Sequence, residues 1–172
     1  NEVDESEPGF EVNRVDKLIG FNVHRWLNPY GRNYGWFSNV GWSVNERQNE
    51  MLYAAGMDEN LTALVLRLEY GYSKTHDYGF NRAGKEYGYA VNIANRMWGS
   101  DSEYARHELY YRSYYRFPSR PRDNLNVQTI LGHATHDIMD NEAFGLGGDD
   151  LRGYDPGRFT GNALLQINME YL

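Results

Sequence analysis

The chain contains no cysteine among its 172 residues, which excludes disulfide bridges and thiolate metal sites. No stretch approaches the ~18–20 consecutive apolar residues of a membrane-spanning helix. Acidic residues outnumber basic ones by 24 to 17, and a net charge of −7 argues against a general nucleic-acid binder, since neutralising phosphates needs a basic surface. The lack of cysteine is compatible with a periplasmic or cell-surface location.

Aromatic residues are abundant and proline is scarce. The chain has 15 tyrosines, 7 phenylalanines, 4 tryptophans and 18 glycines but only 5 prolines, a composition typical of strands joined by turns. We therefore predict an all-β fold. Residues 1–9 (NEVDESEPG) form an acidic stretch that we expect to be a linker or the end of a loop, and residues 10–172 form the folded domain. Because the sequence starts with this stretch and not with a signal sequence, we expect a mature or excised piece.

Seven stretches alternate apolar residues with small or polar ones, the period of a strand whose two faces meet different surroundings. They cover residues 18–25, 34–45, 62–73, 87–94, 104–117, 125–136 and 162–172. Two architectures fit: a soluble sandwich or barrel with a dry apolar core, and a membrane barrel whose apolar face meets lipid. The runs span roughly the 9–11 residues that cross a bilayer, against ~5–6 for soluble strands, and the tyrosines lie mainly near run ends. This pattern favours the membrane barrel.

The fifth run carries charged residues on one face: Arg106, Glu108, Arg112 and Arg116. Burying such a row in a dry core is costly, whereas a water-filled lumen can accommodate it. The row either lines a transport path or simply hydrates the pore wall.

A long glycine-rich segment, at about residues 137–161, separates the last two runs. Loops longer than ~12–15 residues in ordered structure are usually functional or disordered, and the aromatic residues here favour a segment that packs against something. Arg152 within it is a permanently charged, forked donor, so we expect a carboxylate where it docks. By alternation, Glu170 lies on the polar face of the last strand.

The motif FGLGGDDLRGY, followed by GRFTGN and a strand ending in NMEY, resembles the signature of the Omp85 superfamily of bacterial surface-antigen barrels. The resemblance covers about residues 78–172 and includes the upstream stretch GSDSEY. It implies that the runs are the sixth to twelfth strands of a sixteen-stranded outer-membrane barrel, with the long segment folded into the lumen. Residue by residue, the loop motif falls on Gly147, Gly148, Leu151, Arg152, Gly153 and Tyr154, and the loop-anchoring carboxylate on Glu170. The family's second acidic partner, on the thirteenth strand, has no counterpart in this chain.

The resemblance implies insertion or translocation of polypeptides, with outer-membrane lipid, client polypeptides and accessory periplasmic or lipoprotein subunits as partners. It implies no cofactor and no catalysis by the barrel. His133 and His136 differ in parity and so point to opposite faces, which argues against a metal site. Two alternatives stay open: a barrel that anchors a separate enzyme, such as a patatin-like phospholipase, and a soluble all-β binding protein.

Overall fold

A computed structural model describes residues 12–28, 34–51, 59–79, 81–135, 143–146 and 159–172. The predicted linker at residues 1–9 lies outside them. The strands are β1 (Val12–Trp26), β2 (Gly35–Met51), β3 (Glu59–Asp77), β4 (Arg82–Ala94), β5 (Tyr104–Phe117), β6 (Arg120–Thr135), β7 (Phe144–Leu146), β8 (Phe159–Gly161) and β9 (Ala163–Tyr171). A three-residue 3-10 helix, Arg96–Trp98, joins β4 to β5. Within these ranges, no helix is long and apolar enough to cross a membrane.

Seven strands form one antiparallel sheet in the order β1-β2-β3-β4-β5-β6-β9. The predictions of an all-β chain and of a seven-stranded antiparallel sheet are confirmed. The sheet is not closed into a barrel: β1 and β9 are its edges in the part of the chain that the structure describes. The short strands β7 and β8 pair with each other as a separate two-stranded hairpin.

Several strands are longer than the alternation predicted. The second and third alternating runs cover residues 34–45 and 62–73, but β2 continues to Met51 and β3 begins at Glu59. Backbone hydrogen bonds do not require apolar side chains, so two paired strands can extend into water with polar residues on both faces. Side-chain alternation therefore marks the apolar band and not the ends of the strands.

The connection between β5 and β6 is shorter than residues 118–124, which separate the fifth and sixth alternating runs. Only Pro118 and Ser119 form the turn, and β6 begins at Arg120. The register shifts between Arg116 and Phe117, so the ladder is irregular where Pro121 enters the strand. An irregular ladder accommodates proline because it removes the need for a backbone N–H at every position.

The main sheet has two unlike faces. The apolar face exposes large hydrophobic side chains on every strand, and the exposed fraction reaches 76% at Ile19 and 68% at Leu165. The polar face carries charged, small and a few aromatic residues. A cluster of buried apolar residues in the described sheet belongs to the polar face, as the register with Ser43 shows: Ala63, Val65, Ala94 and Tyr104. Among the described residues, the apolar face is not a dry core.

The two ends of the sheet also differ. At one end, called the turn end, β1 and β3 end at Trp26 and Asp77, and residues 118–119 join β5 to β6. At the other, called the loop end, β2 and β6 end at Met51 and Thr135, and residues 95–103 join β4 to β5. Asp101 fixes the connection from β4 to β5 to the start of β3, because its backbone N–H donates to Thr62 O at 2.8 Å and its Oδ2 accepts from Thr62 N at 2.7 Å.

Candidate functional site: the polar face and the loop base

Glu69 is the centre of a hydrogen-bond network on the polar face. Its Oε1 accepts from the Tyr110 hydroxyl at 2.8 Å, and its Oε2 accepts from Asn39 Nδ2 at 2.9 Å. Arg67 Nη2 lies 3.5 Å from the same Oε2. On the far side, His24 Nδ1 lies 2.6 Å from Asn39 Oδ1 and donates to it. The network joins β1, β2, β3 and β5, so one carboxylate connects four strands.

Tyr110 reaches Glu69 across an intervening strand because that strand presents a glycine. Gly88 of β4 lies between Gly71 of β3 and Tyr110 of β5 in one row of the sheet. A Cβ at Gly88 would lie 2.6 Å from the Tyr110 hydroxyl oxygen and 2.8 Å from Cζ. The tyrosine ring therefore occupies the space of the missing side chain and lies across β4.

Gly71 likewise leaves space for an aromatic ring. A Cβ there would lie 2.8 Å from Cζ of Phe37, a residue that is 5% exposed. The ring of Phe37 also packs against those of His24 and Trp26, with centroids 5.4 and 5.5 Å apart. Aromatic rings over strand glycines cover backbone that would otherwise be open to solvent.

The charged row predicted on β5 lies on this face, and its members have partners. Arg106 Nη2 is 3.7 Å from Glu108 Oε2, and Arg112 Nη1 is 2.9 Å from Glu86 Oε1. Arg112 also lies over the ring of Tyr110, 5.1 Å from its centroid. Arg116 lies over the ring of Tyr78 at 4.6 Å. The row is a half-buried, ion-paired wall.

The base of the long loop rests on this wall. β7 and β8 pair as a hairpin, with Phe144 opposite Gly161. Phe144 is 3% exposed; its ring fills the space beside Gly132, and the Arg106 guanidinium lies 4.2 Å from the ring centroid. In this sheet Gly132 pairs with Glu108, so Phe144 lies on the polar face. The described part of the loop is therefore attached to the polar side of the sheet.

The loop-motif residues predicted from the resemblance, Gly147, Gly148, Leu151, Arg152, Gly153 and Tyr154, lie outside the described residues. Glu170 is described: it is exposed and pairs with Asn126, which in turn pairs with Tyr114, so it belongs to the polar face at the turn end. With Arg112 and Tyr114 it lines a groove of about 920 Å³ at the open edge.

Three residues important to this site were missed by the sequence analysis: Glu69, Tyr110 and Phe144. Tyr110 lies within the charged row of the fifth run and Phe144 within the long glycine-rich segment, and neither was singled out. Two glycines at polar-face positions, Gly71 and Gly88, were a usable signal. Each leaves room for an aromatic ring from a neighbouring strand. Across the described ranges, no group of three or more histidine or acidic side chains could hold a metal ion.

The apolar face carries an aromatic cluster near the turn end. The ring of Trp36 stacks on Tyr70 with centroids 5.2 Å apart and meets Tyr72 and Tyr87 edge-on at 5.4 and 6.0 Å. Tyr72 and Tyr87 stack on each other at 5.3 Å. Tyr111 continues the same row on β5. The aromatic residues form a belt across β2, β3, β4 and β5, with ring contacts from β2 to β4.

No model of a known protein family matches the chain, and a search of curated proteins finds no match.

Proposed function

We propose that this chain is part of an outer-membrane β-barrel of the Omp85 type that inserts or translocates polypeptides. One observation carries the proposal: a single sheet exposes large apolar side chains across one face and holds an ion-paired wall, with the base of a long loop, on the other. Lipid outside and water inside would satisfy the two faces. In the proposed barrel, further strands beyond β1 and β9 close the sheet to sixteen.

The height of the apolar band fits a bilayer. On β3 the outward-facing apolar residues run from Leu64 to Tyr72, about 26 Å along the strand at ~3.3 Å per residue. With a strand tilt of ~40° this gives about 20 Å, near the ~25 Å band of outer-membrane barrels. Polar residues bound the band on the same face, Thr62 at the loop end and Lys74 at the turn end.

The aromatic belt supports a membrane interface at the turn end of the sheet. Tyrosine and tryptophan are favoured at the membrane–water interface, where the ring is in the apolar layer and its polar group reaches water. Outer-membrane barrels have short periplasmic turns and longer outer loops. The belt places one membrane interface at the turn end, and because the strands there are joined by connections that are shorter on average, we assign that end to the periplasmic side and the long loop to the outer side.

The polar face has the properties of a wet lumen wall. Its charges are paired but only half-buried; the Arg112 side chain, for example, is 36% exposed. Ion pairs with this exposure are tolerated in contact with water and contribute little in themselves. Their arrangement leaves a hydrated surface along which a loop or an unfolded client can lie.

The loop would brace the lumen through Arg152. Phe144 fixes its start at Gly132, and six residues of β6, about 20 Å, separate Gly132 from Asn126, the partner of Glu170. Six residues also separate Leu146 from Arg152 and can span at most ~20 Å, to which the arginine side chain adds its own length. An Arg152–Glu170 pair is therefore within reach. It would be bidentate and would fix the orientation of the loop.

The activity itself rests on the motif resemblance, and it can be tested directly. The protein is reconstituted into lipid vesicles and supplied with an unfolded outer-membrane polypeptide as client. The measured quantity is the fraction of client that becomes protected from external protease. We expect protection well above that of empty vesicles.

Arg152→Ala should lower that protection severalfold while the circular dichroism of the strands is unchanged. Arg122→Ala, at an exposed position near the turn end, is the control. Protection equal to that of empty vesicles would refute the proposed function and would favour a barrel that only anchors another domain. Protection equal in parent and Arg152→Ala would refute the role of the loop alone.

A further inference from the structure

Two lysines face each other at the turn end of the apolar face. Lys74 of β3 and Lys85 of β4 are direct cross-strand partners, and both are exposed. They lie one outward position beyond Tyr72 and Tyr87, which are themselves partners. The lysines thus mark the boundary where the aromatic belt ends.

Like charges directly opposite each other on paired strands are destabilising. Neither ammonium has an ion pair among the described residues. The other end of the apolar band provides a contrast, because there the outward-facing Lys17 is paired with Glu46 of β2, 3.9 Å away. The sheet neutralises its lysine at the loop end and leaves two lysines unneutralised at the turn end.

The surroundings of the pair combine positive charge with an apolar surface. Ser113 of β5 is the partner of Lys85 on the other side and adds a hydroxyl to the same row. Toward the turn, the outward positions are His76 and Ala83, so no carboxylate faces the pair from this row of the ladder. Toward the middle of the sheet lie the stacked rings of Tyr72 and Tyr87.

We propose that Lys74, Lys85 and Ser113 bind the phosphate of an anionic phospholipid in the leaflet at the turn end, with its acyl chain along the aromatic belt. This inference rests on the membrane location in the proposed function. Lysines at an interface extend their ammonium groups to the headgroup level while their stems stay on apolar surface. A compact, rotatable ammonium suits a phosphate in a mobile headgroup, and two of them opposite each other lose their mutual repulsion once an anion lies between them.

The adjacent surface argues for a lipid over a free phosphate ion. A free ion would use only the polar atoms, and the apolar ring faces beside the pair would gain nothing. A phospholipid uses both, because its chain covers the belt while its phosphate meets the lysines.

The test uses the intact protein in lipid vesicles and a variant in which Trp36 is the remaining tryptophan, with Trp26, Trp42 and Trp98 replaced by phenylalanine. Brominated lipids quench the fluorescence of a tryptophan that they touch. Trp36 packs against Tyr72 and Tyr87, the two tyrosines next to the lysine pair. We measure quenching by brominated phosphatidylglycerol and by brominated phosphatidylcholine in mixed vesicles. The anionic lipid should bind about 5- to 30-fold more strongly, since each interfacial lysine adds a roughly 5-fold preference for anionic lipid. Raising the salt concentration should reduce the ratio.

Replacing both lysines, Lys74→Gln with Lys85→Gln, should bring the ratio close to one, whereas the control Lys17→Gln should leave it unchanged. Equal quenching by the two lipids in the parent would overturn the inference and leave the membrane location standing. No quenching by either lipid would refute the membrane location, and the inference with it. Loss of the preference on adding inorganic phosphate at constant ionic strength would show a free-anion site and would also overturn the proposal.

Discussion

Gly88→Ala should destabilise the sheet because the added methyl group fills the space that the Tyr110 ring occupies. The added methyl would lie 2.6 Å from the tyrosine hydroxyl oxygen, 2.8 Å from Cζ and 3.0 Å from the backbone oxygen of Tyr70. The backbone of a central strand cannot move aside without breaking its ladder, so the ring must move. Moving it removes the 2.8 Å hydrogen bond to Glu69.

The magnitude follows from two terms. Overpacking a tightly filled site costs typically ~1–3 kcal/mol. A hydrogen bond to a charged acceptor contributes roughly 1.5–3 kcal/mol when buried, and less here because Glu69 keeps Asn39 and Arg67 as partners. We expect a loss of about 2–4 kcal/mol in the free energy of unfolding, measured by urea unfolding in detergent micelles.

A double-mutant cycle isolates the cause. In a Tyr110→Ala background the methyl at position 88 meets no ring, so Gly88→Ala should then cost less than ~1 kcal/mol. Gly161→Ala is the matched control, because the nearest atom to its added Cβ is a backbone oxygen 3.9 Å away. If Gly88→Ala lowers the free energy of unfolding equally with and without the tyrosine ring, the glycine is not needed to make room for that ring.

Three further predictions concern the loop base, the apolar face and the charged wall. Phe144→Ala should loosen the β7–β8 hairpin, and a spin label on a cysteine introduced at Thr160, in a chain that has no other cysteine, should become more mobile; an unchanged spectrum would contradict the anchoring role. Leu68→Arg, on the apolar face, should make membrane insertion ~2–4 kcal/mol less favourable, as seen in lipid titrations, whereas Asn168→Arg on the polar face, opposite the neutral Gln128, should have little effect; equal effects would refute the assignment of faces. Arg112→Met should cost only about 0.5–1 kcal/mol of stability, less at high salt, because its ion pair is partly exposed; a salt-independent loss would indicate a buried pair.

The seven strands could be predicted from the sequence because each has one apolar and one polar face over most of its length. Alternation of that kind depends only on the strand period, and every strand of the main sheet shows it. The ends of the strands could not be predicted in the same way. β2 and β3 continue beyond the apolar band, where most residues are polar and their order carries no information about pairing.

The candidate site was harder to predict because it depends on register between strands far apart in sequence. Tyr110 and Glu69 are 41 residues apart and belong to strands that are not neighbours. Only the alignment of Gly88 beneath the ring connects them. Phe37 and Ile130 interrupt the alternation of their runs. The structure explains both, because Phe37 covers Gly71 and Ile130 is the cross-strand partner of Tyr110 on the polar face.

The two faces of the sheet have opposite requirements, and this contrast limits the surroundings in which the sheet is stable. The polar face is largely satisfied by its own side chains, since arginines, glutamates and tyrosines bridge neighbouring strands and cover the glycines between them. The apolar face leaves Ile167 and Met169 at 61% and 68% exposure even on the edge strand β9. Water on both sides would leave a large apolar surface uncovered, which soluble proteins avoid. Lipid on both sides would remove water from the charged side chains of the polar face, which is costly. In the proposed barrel a wall between the two media meets both requirements, and the loop base on the polar side then faces the lumen.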